Sequence, residues 1–284
     1  AAGVQKSMDF LLRNNQMRPT ALFVVASGTA ADILTVESEA EALPAMNISK
    51  TIKSYGEASQ FKAVTIADFA DRLMSKTTAP IAPLLSTVMN GNTKIMYVSG
   101  LAVFKKDKMI GTLNQTETRG LLWVTGEVKK GLILINAPDG TGKAVLKISS
   151  ATSKVTPQVE DGKLTMHIKI LAEGTLAEQT STENLATVPA IAWLQERQAE
   201  AIRQEIIAAF AKSRELQADI FGFGDMVHQK LPVQWAGLAE SWDEVYAAGE
   251  LIIDVETKIN GTNVLTNPAT PEKQVTNERL ANEY

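Results

Sequence analysis

The sequence predicts a multi-domain α+β protein with antiparallel-rich sheets and a long C-terminal helix packed on a sheet. A β-rich region over residues 131–172 carries two turn signals, Asp139–Gly140 and Asp161–Gly162, and a long amphipathic helix pattern opens at Pro189. Helices and hairpins alternate irregularly along the chain, which is typical of α+β proteins rather than of doubly wound parallel sheets.

Composition excludes several classes of protein. The 284 residues are 45% hydrophobic and 21% charged, enough for one large domain or for two to three smaller ones. A net charge of −4 gives no basic surface for nucleic acid. The absence of cysteine excludes disulfides, thiolate metal sites and a cysteine nucleophile. No apolar run approaches the ~20 residues that span a bilayer, so the chain is expected to be water-soluble as written.

We expect two domains. Residues 1–98 form an N-terminal to middle α/β domain, and residues 99–284 form a C-terminal α+β domain, with a further division near residue 130 as the alternative. The start at Ala1, directly before a helix-like run and without a methionine, predicts a processed or truncated chain whose first domain lacks its beginning.

The first half predicts a strand followed by helices. The apolar run Ala21–Ala26 predicts a buried strand, and Thr29 is positioned to cap a helix over Ala30–Leu34. The turn before Thr29 could hold an anion, but a scaffold role is favoured. Residues 46–89 are expected to be mainly helical, interrupted by two prolines, with an apolar face made by Ile66, Phe69, Ala70 and Leu73.

A hairpin and a short helix are predicted next. Two apolar runs flank the charged tip Lys105–Lys108, which predicts a solvated hairpin turn rather than a phosphate-binding patch. The segment NQTETRGLLWV predicts a short helix that ends near Gly120 and is followed by a strand.

The second half predicts hairpins, the long helix and a closing strand. Alternation along Leu164–Ile170 buries one face and leaves His167 on the wet face. Thr187 is a candidate cap for the long helix, whose apolar repeat is Ile191, Leu194, Ile202, Ile206, Phe210 and Ile220. Residues 250–259 predict a closing strand, and the tail from Thr266 is expected to be frayed or a peripheral helix.

No catalytic signature is present. The segment PDGTGKAV has Ala137 and Ala144 where a P-loop requires glycine and a serine or threonine, so a hairpin turn is favoured. His167 and His228 are the only histidines, and neither lies in a metal-binding spacing. No Gly-x-Ser-x-Gly element is present for a serine nucleophile. We therefore expect no enzyme activity, no metal and no cofactor.

The segment ADIFGFGDMVHQKLPVQW, from Ala218 to Trp235, concentrates aromatic residues, glycines and acids. Its Gly-Phe-Gly lacks the third glycine and the preceding strand of a dinucleotide loop. We interpret it as the end of the long helix, where Gly222 and Gly224 allow close backbone approach and the aromatic rings dock the helix on the core.

This segment, together with GLAVFKKDKMIGTLNQTETRGLLWVTG at Gly100–Gly126 and MDFLLRNNQMRPTALFVVASG at Met8–Gly28, resembles the Ger(x)C family, the C-subunit lipoproteins of bacterial spore germinant receptors. The resemblance covers essentially the whole chain. It implies a non-catalytic subunit of a nutrient receptor that is needed for germination and works with a membrane-spanning A-subunit and a B-subunit. It also implies a lipid anchor, absent from this chain, and a place on the outer surface of the spore inner membrane.

The resemblance also indicates which residues to examine. Structural roles are expected for Phe104, Lys108, Gly111, Gly120, Asp219, Gly222, Phe223, Gly224 and Trp235. Glu117 and Arg119 are the candidate interface residues because they are charged, with an internal pairing of Arg119 as the alternative. Two other functions stay open. One is a module that binds a small nutrient between its domains. The other is a hydrolase, although the sequence shows no motif for a nucleophile or a metal.

Overall fold

The computed structural model of the chain describes residues 3–14, 16–36, 43–138, 140, 142–181 and 183–262. The helices within these ranges are α1 (Gln5–Arg13), α2 (Ala30–Leu34), α3 (Pro44–Glu57), α4 (Ile66–Met74), α5 (Gln115–Thr125), α6 (Val188–Glu215), α7 (Phe223–Lys230), α8 (Pro232–Leu238) and α9 (Trp242–Ala248). The strands are β1 (Val25–Ala26), β2 (Ile81–Asn90), β3 (Thr93–Lys105), β4 (Lys108–Leu113), β5 (Gly131–Asn136), β6 (Lys143–Glu160), β7 (Lys163–Gln179) and β8 (Glu250–Thr262).

The first sheet has the order β1-β2-β3-β4, and all its pairs are antiparallel except β1 with β2. The predicted hairpin is confirmed: β3 and β4 pair around a turn in which Lys106 has a φ of 54°. The Thr29 cap is also confirmed, since its side chain accepts the Asp32 N–H at 3.1 Å. The proposed domain limit at residues 98 and 99 falls within β3 and stays a prediction.

Two predictions for this half were wrong in detail. The run from Ala21 is half-buried, and only Val25–Ala26 forms a strand. Residues 81–89, expected to be mainly helical, lie in β2 instead. A proline is uncommon inside a sheet because it cannot donate to the ladder. Pro83 is tolerated because it pairs with β3 on one side and lies beyond β1, which reaches only Leu84 and Leu85.

The second sheet has the order β5-β6-β7-β8, with β8 parallel to β7 and antiparallel pairs elsewhere. The expected hairpin turn is confirmed at Asp161–Gly162, whose φ angles are 49° and 77°. The first turn signal includes Asp139, which lies outside the described residues. Leu164, Met166, Ile168 and Ile170 alternate into the core, and half-buried His167 contacts Gln158 at 2.8 Å.

The helices α6 to α9 connect β7 to β8, and α6 packs on the sheet as predicted. Thr187 caps α6 by accepting the Ala190 N–H at 3.4 Å. The helix ends at Glu215, so the prediction that Ile220 continues its apolar face was wrong; Ile220 is buried in the connection to α7. The predicted closing strand is confirmed as β8. The tail from Thr266 lies outside the described residues.

The prediction of a helix end near Gly120 was also wrong. Helix α5 continues to Thr125 and ends at Gly126, whose φ is 72°. A Cβ on Gly120 would lie 1.9 Å from the Glu205 carbonyl oxygen, so this glycine lets α5 and α6 pack closely. The segment predicted as a strand is instead the buried face of α5, comprising Leu121, Leu122, Trp123 and Val124.

One hydrophobic core joins the two halves. Ile81, Leu101 and Val103 of the first sheet lie in the same cluster as the buried face of α5 and the inner face of the second sheet. Within the described ranges, no helix has the length and apolar character needed to cross a membrane.

Candidate functional site

The segment Asp219–Asp225 begins α7 rather than ending α6. Buried Asp219 accepts backbone N–H groups from Gly222 at 2.9 Å, Phe223 at 3.1 Å and Gly224 at 2.8 Å. Gly222 is the cap residue with a φ of 77°. Our interpretation of the two glycines as a helix end was therefore wrong: the free N–H groups of a helix start are present, and the chain's own carboxylate occupies them.

This segment packs against residues 72–80, which lead from α4 into β2. Asp225 accepts hydrogen bonds from Ser75 at 2.9 Å, Thr77 at 3.2 Å and Thr78 at 2.6 Å. The Ala79 N–H donates to the Asp219 carbonyl at 2.8 Å. We name this set of contacts between residues 72–80 and 219–225 the junction, because it ties the first half of the chain to the second.

Arg72 supplies the cation of the junction. Its Nη1 donates to the carbonyls of Ala79 and Ile220, both at 3.0 Å, and Ile220 lies 148 residues after Arg72 in the chain. Burial lowers the pKa of the Arg72 guanidinium, and the charges of Glu127 and Asp219 oppose this. The site thus contains a desolvated cation beside several carboxylates, and the backbone carbonyls fix its position.

Asp219 has the most perturbed carboxyl group of the junction. Burial raises its pKa to about 6, although three N–H donors and the charge of Arg72 favour the ionised form. A carboxyl that titrates near neutrality while capping a helix couples the local structure to protonation.

A small cavity of about 120 Å³ opens at the junction. Its wall includes Arg72, Lys105, Gln217, Asp219 and Asp243. Lys105 spans the cavity rim by donating to the Gln217 carbonyl at 2.9 Å and to Asp243 at 2.7 Å. The space is large enough for a few water molecules or a small polar solute.

The candidate interface residues make internal contacts on α5. Glu117 forms a capping box with Asn114, with hydrogen bonds of 2.9 and 2.7 Å. Arg119 pairs with Glu205 at 3.2 Å and donates to the Leu132 carbonyl at 3.1 Å. Burial raises the pKa of Glu205, which also accepts the indole N–H of Trp123 at 2.8 Å. The internal partner of Arg119 is thus Glu205 and not the neighbouring Glu117, and an interface role for either residue stays a prediction.

The other residues expected to have structural roles are placed in packed regions. Phe104 meets Phe69 edge-to-face at 5.2 Å between ring centroids. A Cβ on Gly111 would come within 2.5 Å of a Leu216 methyl carbon. Trp235 lies between His228 and Trp242, with ring centroids 5.3 Å from each. Lys108, which begins β4, stays an expected structural residue.

The structure does not bring the two histidines into one metal site. No group of three or more histidine, aspartate or glutamate side chains is arranged for a metal in the part of the chain that the structure describes. Sequence analysis missed Arg72, Ser75, Thr77 and Thr78, which complete the junction. The available signal was the polar run Ser75–Thr78 between an apolar helix and a strand, but nothing local indicates that its partner is Asp225.

Comparison with known proteins gives consistent matches along both halves. Residues 99–263 match the family described as spore germination B3/GerAC like, C-terminal, and residues 1–87 match the spore germination protein N-terminal domain. Spore germination protein KC of Bacillus subtilis is 28% identical over 93% of this chain and 70% of its own length. Spore germination protein YndF of the same organism is 26% identical over 90% of this chain and 63% of its own length.

A solved structure supports the fold. The crystal structure of the GerBC protein superposes with a TM-score of 0.71 and 19% identity, covering 91% of this chain and 74% of the other. The chain spans about two thirds of the length of the two curated relatives: 70% of spore germination protein KC and 63% of YndF. Because the C-terminal family covers more than half of the chain and the N-terminal domain most of the remainder, the chain belongs to the Ger(x)C family of spore germination proteins.

Proposed function

We propose that this chain acts as a non-catalytic subunit of a nutrient receptor complex at the spore inner membrane. The observation that carries the proposal is the match of two spore germination families to the two halves of the chain. The proposed partners are the A-subunit and B-subunit of the receptor, and the proposed location is the outer surface of that membrane, reached through an N-terminal lipid anchor.

The geometry of the described residues supports a binding role rather than catalysis. Asp219 lines the small junction cavity, but its carboxylate is already engaged by three backbone N–H groups. Arg72 is held by two carbonyls. A nucleophile or general base needs hydrogen-bonding capacity free for a substrate. Here the Asp219 carboxylate caps the start of α7, and Arg72 joins two parts of the chain.

The proposal is tested in spores of the organism that encodes the chain. Deleting the gene should abolish germination with the matching nutrient and leave germination with a non-nutrient trigger intact, and a wild-type copy should restore the nutrient response. Crosslinking of the lipidated protein in spore membranes should recover the A-subunit and B-subunit. Normal nutrient germination after deletion, under every nutrient that the parent spores respond to, would contradict the receptor role.

A second candidate is a small-molecule binding module, and the junction cavity is the observation in its favour. A ligand that binds only the folded state raises its stability according to ligand concentration and affinity. We expect the isolated chain to show no saturable stabilisation with amino acids or sugars at millimolar concentration. A saturable rise in melting temperature that disappears in Lys105→Ala would favour the nutrient-binding module.

A further inference from the structure

Arg72 is a largely buried cation that uses only one edge of its guanidinium group. Its Nη1 donates to the carbonyls of Ala79 and Ile220, both at 3.0 Å. The other edge is formed by Nε–H and Nη2, which lie side by side in the planar fork. Among the described residues these two nitrogens have no hydrogen-bond acceptor, and neither is fully shielded from solvent. Arg72 thus keeps free a donor pair that binds a carboxylate through two parallel hydrogen bonds.

The carboxylates around Arg72 leave this edge open. The charges that favour its ionised form are those of Glu127, Asp219, Asp68 and Asp225. Each of these acids already accepts hydrogen bonds from other groups of the chain. In the part of the chain that the structure describes, none of them makes a hydrogen bond or an ion pair with Arg72. Burial of a charge is costly unless the charge is paired, and the Arg72 guanidinium has no direct counterion.

The junction cavity gives a ligand access to Arg72, which forms part of its wall. The cavity holds about 120 Å³. A water molecule takes up about 30 Å³ in the liquid, so this space corresponds to about four waters or to one solute of four to five non-hydrogen atoms. Leu73, Ala79, Pro80 and Ala218 add apolar surface to the wall. The cavity therefore combines a free donor pair with a short apolar surface.

We propose that the junction cavity binds a small carboxylate the size of acetate or propionate. The carboxylate accepts hydrogen bonds from Nε and Nη2 of Arg72, and its short carbon chain contacts the apolar wall. Lys76 and Lys106 are exposed residues of the cavity lining, and their charges attract anions to it. The ligand supplies the missing counterion and so stabilises the junction. The proposal goes beyond the receptor role proposed above and does not depend on it.

Two other small anions complement the cavity less well. Phosphate offers the same oxygen acceptors, but it has no carbon chain for the apolar wall. A free amino acid carries an ammonium group next to its carboxylate, and this group would lie close to the Arg72 guanidinium. Like charges repel more strongly in a partly desolvated site than in water. The cavity thus favours a carboxylate without an ammonium group.

The experiment is a titration of the full chain, isotope-labelled at arginine, with sodium acetate at fixed pH. Sodium chloride keeps the ionic strength constant. We expect the Nε–H resonance of Arg72 to shift saturably, with half-saturation below about 10 mM, and the melting temperature to rise over the same range. Acetamide has the size of acetate without its charge, and it should bind at least about tenfold more weakly.

Three variants locate the binding site. Arg72→Lys keeps the charge but lacks the fork, and it should weaken acetate binding at least about tenfold. Lys76→Glu reverses an exposed charge of the cavity lining and should weaken binding roughly threefold. Lys163→Glu, the same change on an exposed residue outside the cavity lining, should leave binding unchanged. Because Lys76 and Lys163 are both exposed, their comparison tests the proposal even if Arg72→Lys does not fold.

Several outcomes would overturn the proposal. They are the absence of a saturable shift, an equal shift with chloride or acetamide, and equal binding by the Lys76 and Lys163 variants. Saturation by phosphate but not by acetate would also overturn it. Tighter binding of glycine than of acetate would assign the cavity to the nutrient-binding module instead. Germination after deletion of the gene is a separate measurement, so failure of the receptor role and failure of this site are distinguishable.

Discussion

The hydroxyl of Thr78 donates a 2.6 Å hydrogen bond to the carboxylate of Asp225, across 147 residues of chain. Ser75 and Thr77 donate to the same carboxylate, so three hydroxyls from one half of the molecule converge on one acid from the other. Hydrogen bonds to a charged group contribute more than neutral ones, at roughly 1.5–3 kcal/mol each. Asp225 is therefore a main attachment between the two halves of the chain.

Replacing Asp225 with alanine should lower the free energy of unfolding by about 2–4 kcal/mol, because three partly buried hydroxyls lose their acceptor. Denaturant unfolding measures the change. The matched control is Asp243→Ala, which removes the exposed partner of Lys105 and should cost under about 0.5 kcal/mol. Equal effects of the two variants would contradict the special role of Asp225.

Gly222→Val and Gly224→Val should each destabilise the fold by at least about 1–3 kcal/mol, for different reasons. Gly222 has a φ of 77°, which a β-branched residue adopts only with strain, whereas a Cβ on Gly224 would lie 2.5 Å from the Thr77 Cβ. Gly237→Val on α8 is the control, because a Cβ there meets nothing within 4 Å. If both junction variants have the same melting temperature as the parent, the backbone does not require glycine at either position.

Arg119→Ala should lower the melting temperature, because it leaves the Glu205 carboxylate without its cation in a region where burial already raises the pKa of Glu205. Removing one partner of a buried pair costs about 3–5 kcal/mol, and residual solvent access should reduce this here. Thermal melts and receptor assembly in spores are measured together. Normal melting with lost assembly would instead favour an interface role for Arg119.

The stability of the chain should depend on the protonation of Asp219. Its pKa rises from the ordinary 3.8 to about 6 in the fold, so the folded state binds the proton more tightly. The stabilisation is full below about pH 4 and is lost as the pH rises through 6, a change of about 3 kcal/mol for a shift of roughly two units. Asp219→Asn keeps an oxygen acceptor for the backbone N–H groups and removes the titration.

The measurement is the difference in unfolding free energy between the parent and Asp219→Asn across pH 4 to 7. Taking this difference removes the pH-dependent contributions of the carboxyl groups that the two proteins share. We expect the parent to lose stability relative to the variant as the pH rises. Parallel pH profiles would show that the three N–H donors and Arg72 hold the Asp219 pKa near its ordinary value.

Divalent metal should not be needed for folding. The described residues include no cluster of three potential ligands, and the chain has no cysteine. A chelator should leave the melting temperature unchanged. A stoichiometric metal that survives dialysis, together with a lower melting temperature in chelator, would overturn this prediction.

The sequence by itself determined the elements whose signals lie within a few neighbouring residues. The charged tip between β3 and β4, the Asp161–Gly162 turn, and the caps at Thr29 and Thr187 all follow from local backbone preferences and side-chain hydrogen bonds. The alternation in β7 likewise follows from the two-residue period of a strand. These features can be predicted because each is stabilised by groups that are close in sequence.

The tertiary structure decided the features whose stabilising partner is distant in sequence. Gly120 weakens an isolated helix by about 1 kcal/mol relative to alanine, but α5 continues through it because the absent side chain lets the α6 backbone approach. Residues 81–90 become a strand because β3 supplies the ladder on one side.

The role of Asp219 was also decided by the tertiary structure. Its side chain folds back on the N–H groups of residues 222–224, and this defines the start of α7 rather than the end of α6. The site depends further on Arg72 and Thr78, which lie about half the chain away and contact it only in the folded protein. A local pattern does not encode such contacts, because their free energy depends on burial and geometry that exist only in the folded protein.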